Sequence, residues 1–500
     1  MPYADVPLAP GVVTEEHPTL AKPRWQYTNL CRFWRGWPQP IGGRVKIGEH
    51  SGIARGGISW AANDGRTFGA YGTDKKLYVF YRSFIYDITP IRRTATVGAG
   101  GAVTTNGSPL LTITDAGHGA ITGDTVYIKG DQTIGGVQWG GGAGNLTNPF
   151  TTTAGSAFVM VAHTAHGLTS GEIVTYSGAS PVGGITLSGD YTVRVQSANS
   201  YEVEHTGPAG VAATGGGTVA YSYHRAWEVT KTGVNTYTVQ ASSNATAASG
   251  GSFTVEYEIN VGNTSGFETA TGSTGGFGSG YYGIGGIGAL ISHSAQSYPR
   301  IWTFGAWGQN LDACPWQGDP VEWALNTSTR AALISGVPSG GVGSIFVTPY
   351  RQLMLIGTSD GVTYTPMRVN YSDQEDNTVY TPSELVLAGI FVLSQGAIAL
   401  RGMVSDRGML IFTDKTVYPI SYQGDPNAPY SVGDPIGTGC GLLGPLAVAS
   451  KGGDVVWAGN NGSFYKYDGS PPMALKCDVR GDVLLNMAPL QDFKAFMGTN

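Results

Sequence analysis

Charged side chains are the scarcest feature of this 500-residue sequence: Asp, Glu, Lys and Arg together make up 13%, about half the usual share. Helix is disfavoured, since the common surface helix formers Lys and Glu are few and glycine, present 77 times, is about 1 kcal/mol worse than alanine inside a helix. No basic block offsets the net charge of −6, so the electrostatic footprint of a protein that grips phosphates is missing. Cysteine is limited to Cys31, Cys314, Cys440 and Cys477. With no CxxC pair and wide separations, these exclude a zinc knuckle or a small disulfide scaffold, and they read as buried thiols made in a reducing cytoplasm. No run reaches about 18 apolar residues. The stretch Met1 to Pro10 carries Asp5 and three prolines instead of a basic segment followed by an apolar one, so neither a signal peptide nor membrane insertion is expected.

What is present points to an all-β protein. A hydrophobic share of 41% with 11% aromatics suffices for two or three packed domains. Many short strands joined by glycine-rich turns are the natural arrangement. One hairpin recurs: Gly72-Thr73-Asp74-Lys75-Lys76-Leu77-Tyr78, Gly357-Thr358-Ser359-Asp360-Gly361-Val362-Thr363-Tyr364, Thr413-Asp414-Lys415-Thr416-Val417-Tyr418 and Gly459-Asn460-Asn461-Gly462-Ser463-Phe464-Tyr465. Each puts Asp or Asn, often with Gly, where a tight turn needs a positive φ or a side chain that bonds its own backbone. Apolar strands precede the turns at Leu353 to Ile356, Met409 to Phe412 and Val455 to Trp457. A fifth, divergent hairpin is expected at Ile301 to Trp323, where Trp302, Trp307, Trp316 and Trp323 cluster. Small antiparallel sheets repeated every 40 to 50 residues or so predict a β-propeller, because one such sheet cannot bury both faces alone. A sandwich is the rival, disfavoured by the long connections between hairpins.

The propeller is predicted in two parts, residues 1–93 and 298–500, separated by an insertion over 94–260 and a Gly-rich connecting loop over 261–297. The insertion repeats itself. His118-Gly119, Gly123-Asp124, Val126, Gly130 and Gly135-Gly136 recur 48 residues later as His166-Gly167, Gly171-Glu172, Val174, Gly178 and Gly183-Gly184. Tyr191, Val193, Asn199, Tyr201, Val203, Val219 and Tyr221 recur 36 residues later as Trp227, Val229, Asn235, Tyr237, Val239, Val255 and Tyr257. The change of offset implies a nested duplication, an outer unit of 110–139 plus 224–258 with an inner unit of 157–223 placed inside it. Alternation such as Tyr191-Thr192-Val193-Arg194-Val195 makes both units small β-barrels or β-sandwiches.

Motifs that resemble catalytic ones have simpler explanations. Gly283-Ile284-Gly285-Gly286-Ile287-Gly288 fits the dinucleotide fingerprint, as does Gly278 to Gly283, but a glycine tract precedes it where a strand is required and Pro299 soon follows. Gly357-Thr358-Ser359-Asp360-Gly361 fits the hydrolase elbow, yet Ser359 occupies a blade turn whose sisters carry Asp or Asn. His118 and His166 are one position in two copies, so with His163 they read as turn histidines more readily than as metal ligands. Asp373, Glu375 and Asp376 form an acidic loop best read as solvated. Sequons at Asn145, Asn244, Asn263, Asn326 and Asn461 have no use without secretion. No catalytic, cofactor-binding or metal-ligating residue is therefore assigned, no cofactor is expected, and the chain is not read as an enzyme.

Tyr27-Thr28-Asn29-Leu30-Cys31-Arg32-Phe33-Trp34-Arg35-Gly36-Trp37, followed by Ile41-Gly42-Gly43-Arg44, resembles the opening of podovirus (short-tailed bacteriophage) tail nozzle proteins, in which an Asn-x-x-Arg-Phe stretch precedes the first blade. Arg300 to Gln309, Leu410 to Tyr418, Gly439-Cys440-Gly441-Leu442 and Asp454 to Gly462 look like blade signatures of the same family. The resemblance covers about 24–92 and 298–485. It implies a structural virion protein of the tail, synthesised in the host cytoplasm and forming a homohexameric ring below the portal and adaptor (head-to-tail connector) protein. Genomic DNA would pass along its lumen without specific binding, and tail fibres or spikes would attach outside. It also implies either further blade sequence after the strand-like Asp482 to Met487 or closure of the propeller by the N-terminal segment. The alternative is a receptor-binding or adhesin β protein that recognises cell-surface glycans, with Trp302 to Trp323 stacking on sugars. A propeller glycosidase or esterase is the third reading, and it lacks a credible acid pair or triad.

Overall fold

The computed structural model describes residues 9–486 and 497, apart from 16, 18, 20–23, 44, 45, 47, 131, 263–298, 361, 362, 426 and 427. The glycine tract with its two fingerprint matches, most of the connecting loop, and Gly361-Val362 of the third blade turn thus lie outside the described residues. Among the described residues there are 39 strands and one helix.

Five antiparallel four-stranded sheets form the propeller blades, each with its strands in sequence order. Blade 1 spans Ala54–Ala61 to Phe84–Asp87, blade 2 Trp302–Trp307 to Ala332–Leu333, and blade 3 Ser344–Val347 to Gly389–Val392. Blade 4 runs from Ala399–Ser405 to Ala428–Val432 and blade 5 from Val448–Lys451 to Met473–Leu475. First strands of successive blades lie side by side: Trp302–Trp307 touches both Ala54–Ala61 and Ser344–Val347, which in turn touches Ala399–Ser405. Blade 5 joins through Val448, Val455 and Trp457, which pack with Leu410, Phe412 and Val417 of blade 4. The second strands of blades 2, 3 and 4 are covered on both faces, and Leu353–Ser359 is buried along its whole length. That sandwiching explains its unbroken apolar run.

The recurring turn has a shared hydrogen-bond pattern. In blade 1 the Thr73 amide donates to the Lys76 carbonyl (2.8 Å) while Thr73 Oγ1 accepts the Lys76 amide (2.8 Å). In blade 4 Thr413 does the same with Thr416 (2.8 and 3.0 Å). The aspartate that follows reaches back to the segment entering its own blade: Asp74 accepts the Ile53 amide, and Asp414 Oδ1 accepts those of Ala397 (2.8 Å) and Ile398 (3.2 Å). Gly52 and Gly396, both at positive φ, leave room for these carboxylates, since a Cβ there would stand 2.6 and 2.8 Å from the Oδ1 atoms. The tyrosine completing the motif closes the lock, with Tyr78 Oη accepting the Ser51 amide (3.0 Å) and Tyr418 Oη that of Gln395 (2.7 Å). In blades 1 and 4 the repeat is thus a strap fastening the blade's entry to its central hairpin.

The insertion is a nested pair of small β units whose internal contacts repeat at the offsets seen in the sequence. Thr104 Oγ1 donates to the Ala247 carbonyl (3.0 Å) beneath Gly135, and Thr152 Oγ1 donates to that of Val211 (3.1 Å) beneath Gly183. A Cβ at either glycine would lie 2.3 Å from the threonine oxygen. His118 Nδ1 accepts the Ala120 amide (2.9 Å) and His166 Nδ1 that of Leu168 (3.0 Å). Strand Thr218–Glu228 belongs to both units, pairing with Ile173–Ser177 in the inner one and Thr125–Lys129 in the outer one. Packing draws each unit wider than its repeated motif: Val97 and Ala102 enter the outer core, and Leu146 and Phe150 the inner one.

Two readings change. Of the strand-like Asp482 to Met487, the described part Asp482 to Asn486 is helical, because Arg480–Asn486 is an α-helix with Asp482 in its first turn; Met487 lies outside the described residues. A short apolar run fits either element, and here the Val483 amide donates to the Val479 carbonyl (3.0 Å). Its flank meets the N-terminal segment: the Thr14 amide bonds the Asp478 carbonyl (3.0 Å), and Arg24 pairs with Asp478. The four thiols are free, but only Cys314 and Cys440 are buried, whereas Cys31 and Cys477 are partly exposed.

Candidate functional site

A buried cluster of charged side chains lies where the insertion meets the propeller. Lys76 and Asp87 come from blade 1, Arg330 from the last loop of blade 2, and Tyr127 and Glu258 from the outer unit. The Glu258 carboxylate accepts from Lys76 Nζ (2.7 Å), Tyr127 Oη (2.8 Å) and Arg330 Nη1 (2.9 Å). Lys76 also pairs with Asp87 (3.0 Å), and Arg330 Nη2 donates to Tyr127 Oη (2.8 Å). Burial opposes the charge on Lys76, yet Asp87 and Glu258 hold its pKa well above the ordinary lysine value. Burial likewise works against the Asp87 carboxylate, but Lys76 and Arg330 outweigh it and keep that group below the usual range. Two cations face two anions, and Lys76 and Asp87 are both shifted toward their charged forms, so the cluster joins the insertion to the propeller.

The inner unit docks beside it. Glu204 accepts from the Thr327 amide (2.6 Å) and pairs with Arg66 of blade 1 (3.2 Å). The Thr192 amide donates to the Ser328 carbonyl (2.8 Å). Arg66 and the loop around 325–330 therefore clamp both units to the propeller.

Between the nested units sit Asp190, His224 and Glu256, close enough together to resemble a metal site. They do not fit one. His224 Nδ1 is taken by Glu256 (2.9 Å) while Nε2 faces Thr175 Oγ1 (2.9 Å), so no single nitrogen lone pair faces both carboxylates. Lys129 Nζ, 3.3 Å from Asp190 and 4.0 Å from Glu256, already supplies the cation.

The sequence motifs resolve into structure. Ser359 is buried at the end of its strand, opposite Tyr364, and no histidine follows His224 among the described residues. His118 and His166 lie in separate units, their rings packed at steep angles against the equivalent Tyr237 and Tyr201 at 5.1 and 5.2 Å. His163 bonds Tyr223 Oη (2.6 Å). In the acidic loop Asp373 Oδ1 accepts the Leu387 amide (2.7 Å), Asp376 Oδ1 accepts the Thr378 amide (2.8 Å), and Glu375 pairs with Arg351 (3.4 Å). These carboxylates shape their own turn. Trp302, Trp307, Trp316 and Trp323 are all buried; Trp302 Nε1 donates to the Thr73 carbonyl (2.7 Å) and Trp323 Nε1 to that of Asn326 (2.9 Å). They fill cores and leave no face for a sugar: Trp302 and Trp323 pack against blade 1, Trp307 against Ile345 and Leu355 of blade 3, and Trp316 in the cluster of Leu410 and Trp457.

The exposed counterpart is a feature the blades do not cover. Cys31–Trp34 and Trp37–Pro40 form a hairpin that pairs with no third strand among the described residues. Around it Tyr27 is 78% exposed, Trp37 75%, Leu30 64% and Trp34 54%. Arg32 and Arg35 flank the Trp34 ring at 6.0 and 5.9 Å. An isolated hairpin is at best marginally stable in water, and an apolar patch of this kind marks an interaction surface.

No family profile matches the sequence, and no curated protein does. Among solved structures the chain is similar to a Phage phi92 endosialidase at a TM-score of 0.20 and 11% identity, over 83% of this chain. The chain spans 65% of that protein's length. A likeness this faint carries no argument about fold or activity.

Proposed function

We propose that the chain is a non-enzymatic structural protein of a bacteriophage tail, and within that class a subunit of the tail nozzle. The observation that carries the reading is the hairpin Cys31–Trp34/Trp37–Pro40. It carries Arg32 and Phe33 of the Asn29-x-x-Arg32-Phe33 signature, and its aromatics need a surface from outside the chain. In a homo-oligomeric ring that surface is a neighbouring copy. The clamped insertion then projects as a rigid arm toward neighbours, the adaptor or tail fibres. Net negative charge, with no basic block, suits a conduit along which DNA slides, since each phosphate neutralised by Lys or Arg would retard it.

Mass photometry of the full chain tests this: a hexameric ring is expected, and Trp37→Ser should dissociate it without lowering the melting temperature of the subunit. A second reading, a receptor-binding protein that recognises cell-surface glycans, draws on the same exposed Trp34 and Trp37, whose faces could take a sugar ring. A trimer or monomer that binds host envelope, and loses binding in Trp37→Ser, would favour it over the nozzle.

A further inference from the structure

The first strands of blades 2, 3 and 4 line an open depression of about 530 Å³, bordered by Phe304, Phe346, Val347, Met403, Arg351 and Arg401 among others. Glycines make its walls thin. A Cβ at Gly305 would lie 2.6 Å from Val347 Cγ2, and one at Gly402 would fall 2.1 Å from the Phe346 ring. The strands therefore close on one another while the space between them stays open.

Arg401 is the anomaly. It sits in a mostly apolar strand and is partly exposed, its Nη1 is buried without a hydrogen-bond partner, and no ion pair reaches it among the described residues. Burial alone lowers its pKa to about 10, with no carboxylate opposing the shift, so it remains charged at neutral pH. Arg351 shares the cavity and is half engaged: its Nη2 meets Glu375 at 3.4 Å, its guanidinium lies 5.0 Å from the Trp307 ring, and its Nε is buried without a partner. Its backbone holds φ at 57°, where glycine or asparagine would be less strained, so the turn keeps a bulky cation at an energetic cost. Arg401 is partly exposed, so a ligand can reach it from solvent, yet even partial desolvation of a guanidinium with no counter-ion is costly. An open, mostly apolar cavity with a few converging polar groups is the usual form of a ligand site.

We propose that this cavity is an anion-binding site in which Arg401, assisted by Arg351, takes the oxyanion of a carboxylate- or phosphate-bearing ligand, with its apolar portion against Phe304, Phe346 and Met403. Arginine's planar fork matches both oxyanions. The site is independent of the tail assignment, since its residues come from three blades and none from the exposed hairpin.

Isothermal titration of the full chain with sodium phosphate, glucuronate and glucose tests it. Phosphate or glucuronate should bind and glucose should not; tighter glucuronate binding assigns a carboxylate ligand, tighter phosphate binding a phosphate one. Arg401→Met should weaken the anion at least about tenfold, equivalent to roughly 1.4 kcal/mol, and Arg401→Lys should recover part of that loss. An unchanged or raised melting temperature of the unliganded Arg401→Met chain, in which a charge without counter-ion is gone, guards against a variant that merely fails to fold. Absence of anion binding, or binding unchanged in Arg401→Met, would overturn the proposal.

Discussion

Glu258→Gln isolates the contribution of the buried charge network to holding the insertion on the propeller. In the native chain two cations, Lys76 and Arg330, face two anions, Asp87 and Glu258, at 2.7 to 3.6 Å. The Glu258 side chain is only 2% exposed. The substitution keeps an acceptor but leaves two buried cations sharing one carboxylate. Removing one member of a buried pair destabilises by about 3–5 kcal/mol; because Asp87 remains, the lower end applies, about 3 kcal/mol. The insertion and the propeller have separate cores, so one melting midpoint would blur the effect. Hydrogen exchange is the better assay: amides of Arg93, Tyr257 and Glu258, which sit on the paired strands crossing into the insertion, should exchange roughly a hundredfold faster, the factor that 3 kcal/mol implies. Arg24→Ala, which breaks an exposed pair with Asp478, should leave the same amides unchanged. Acceleration of less than about fivefold in Glu258→Gln, corresponding to under roughly 1 kcal/mol, would refute the idea that this network does the clamping.

Gly72→Ala would place a Cβ 2.1 Å from the fully buried Trp302 ring; separating blades 1 and 2 should cost several kcal/mol, on the order of the larger overpacking penalties, read as a lower denaturation midpoint. Asp312 and Glu322 lie opposite each other across two strands of blade 2, and burial followed by the Glu322 charge pushes the Asp312 pKa well above 3.8. A carboxyl whose folded pKa is raised binds its proton more tightly folded than unfolded, so stability is lost as pH climbs from about 3.8 through the raised value. Asp312→Asn should flatten that slope and stabilise the chain at neutral pH; an unchanged pH profile would show that Asp312 does not titrate there.

The blades were readable because their signature is local. Thr73, Asp74 and Tyr78, or Thr413, Asp414 and Tyr418, sit within a few residues of one another and bond to nearby backbone. The duplication was readable for a similar reason, since each copy needs its glycine over a threonine and its histidine in a turn. Less could be seen where contacts are distant. Lys76, Glu258 and Arg330 carry no motif, and only folding brings them together. Thr192, which strict alternation would turn outward, is buried because it faces Ser328. The tryptophan cluster offered no sign of its direction, as a core filler and a sugar platform share one composition. Arg401 stood unnoticed in an apolar strand, its significance arising from what fails to surround it.

The most direct test of the tail assignment is an electron cryomicroscopy map of the virion carrying this chain. The account predicts a closed ring of copies around the tail axis, with the hairpin Cys31–Trp34/Trp37–Pro40 pressed between neighbours and DNA along the lumen. Density for the chain at the end of a fibre, away from the axis and with that hairpin facing solvent, would contradict it.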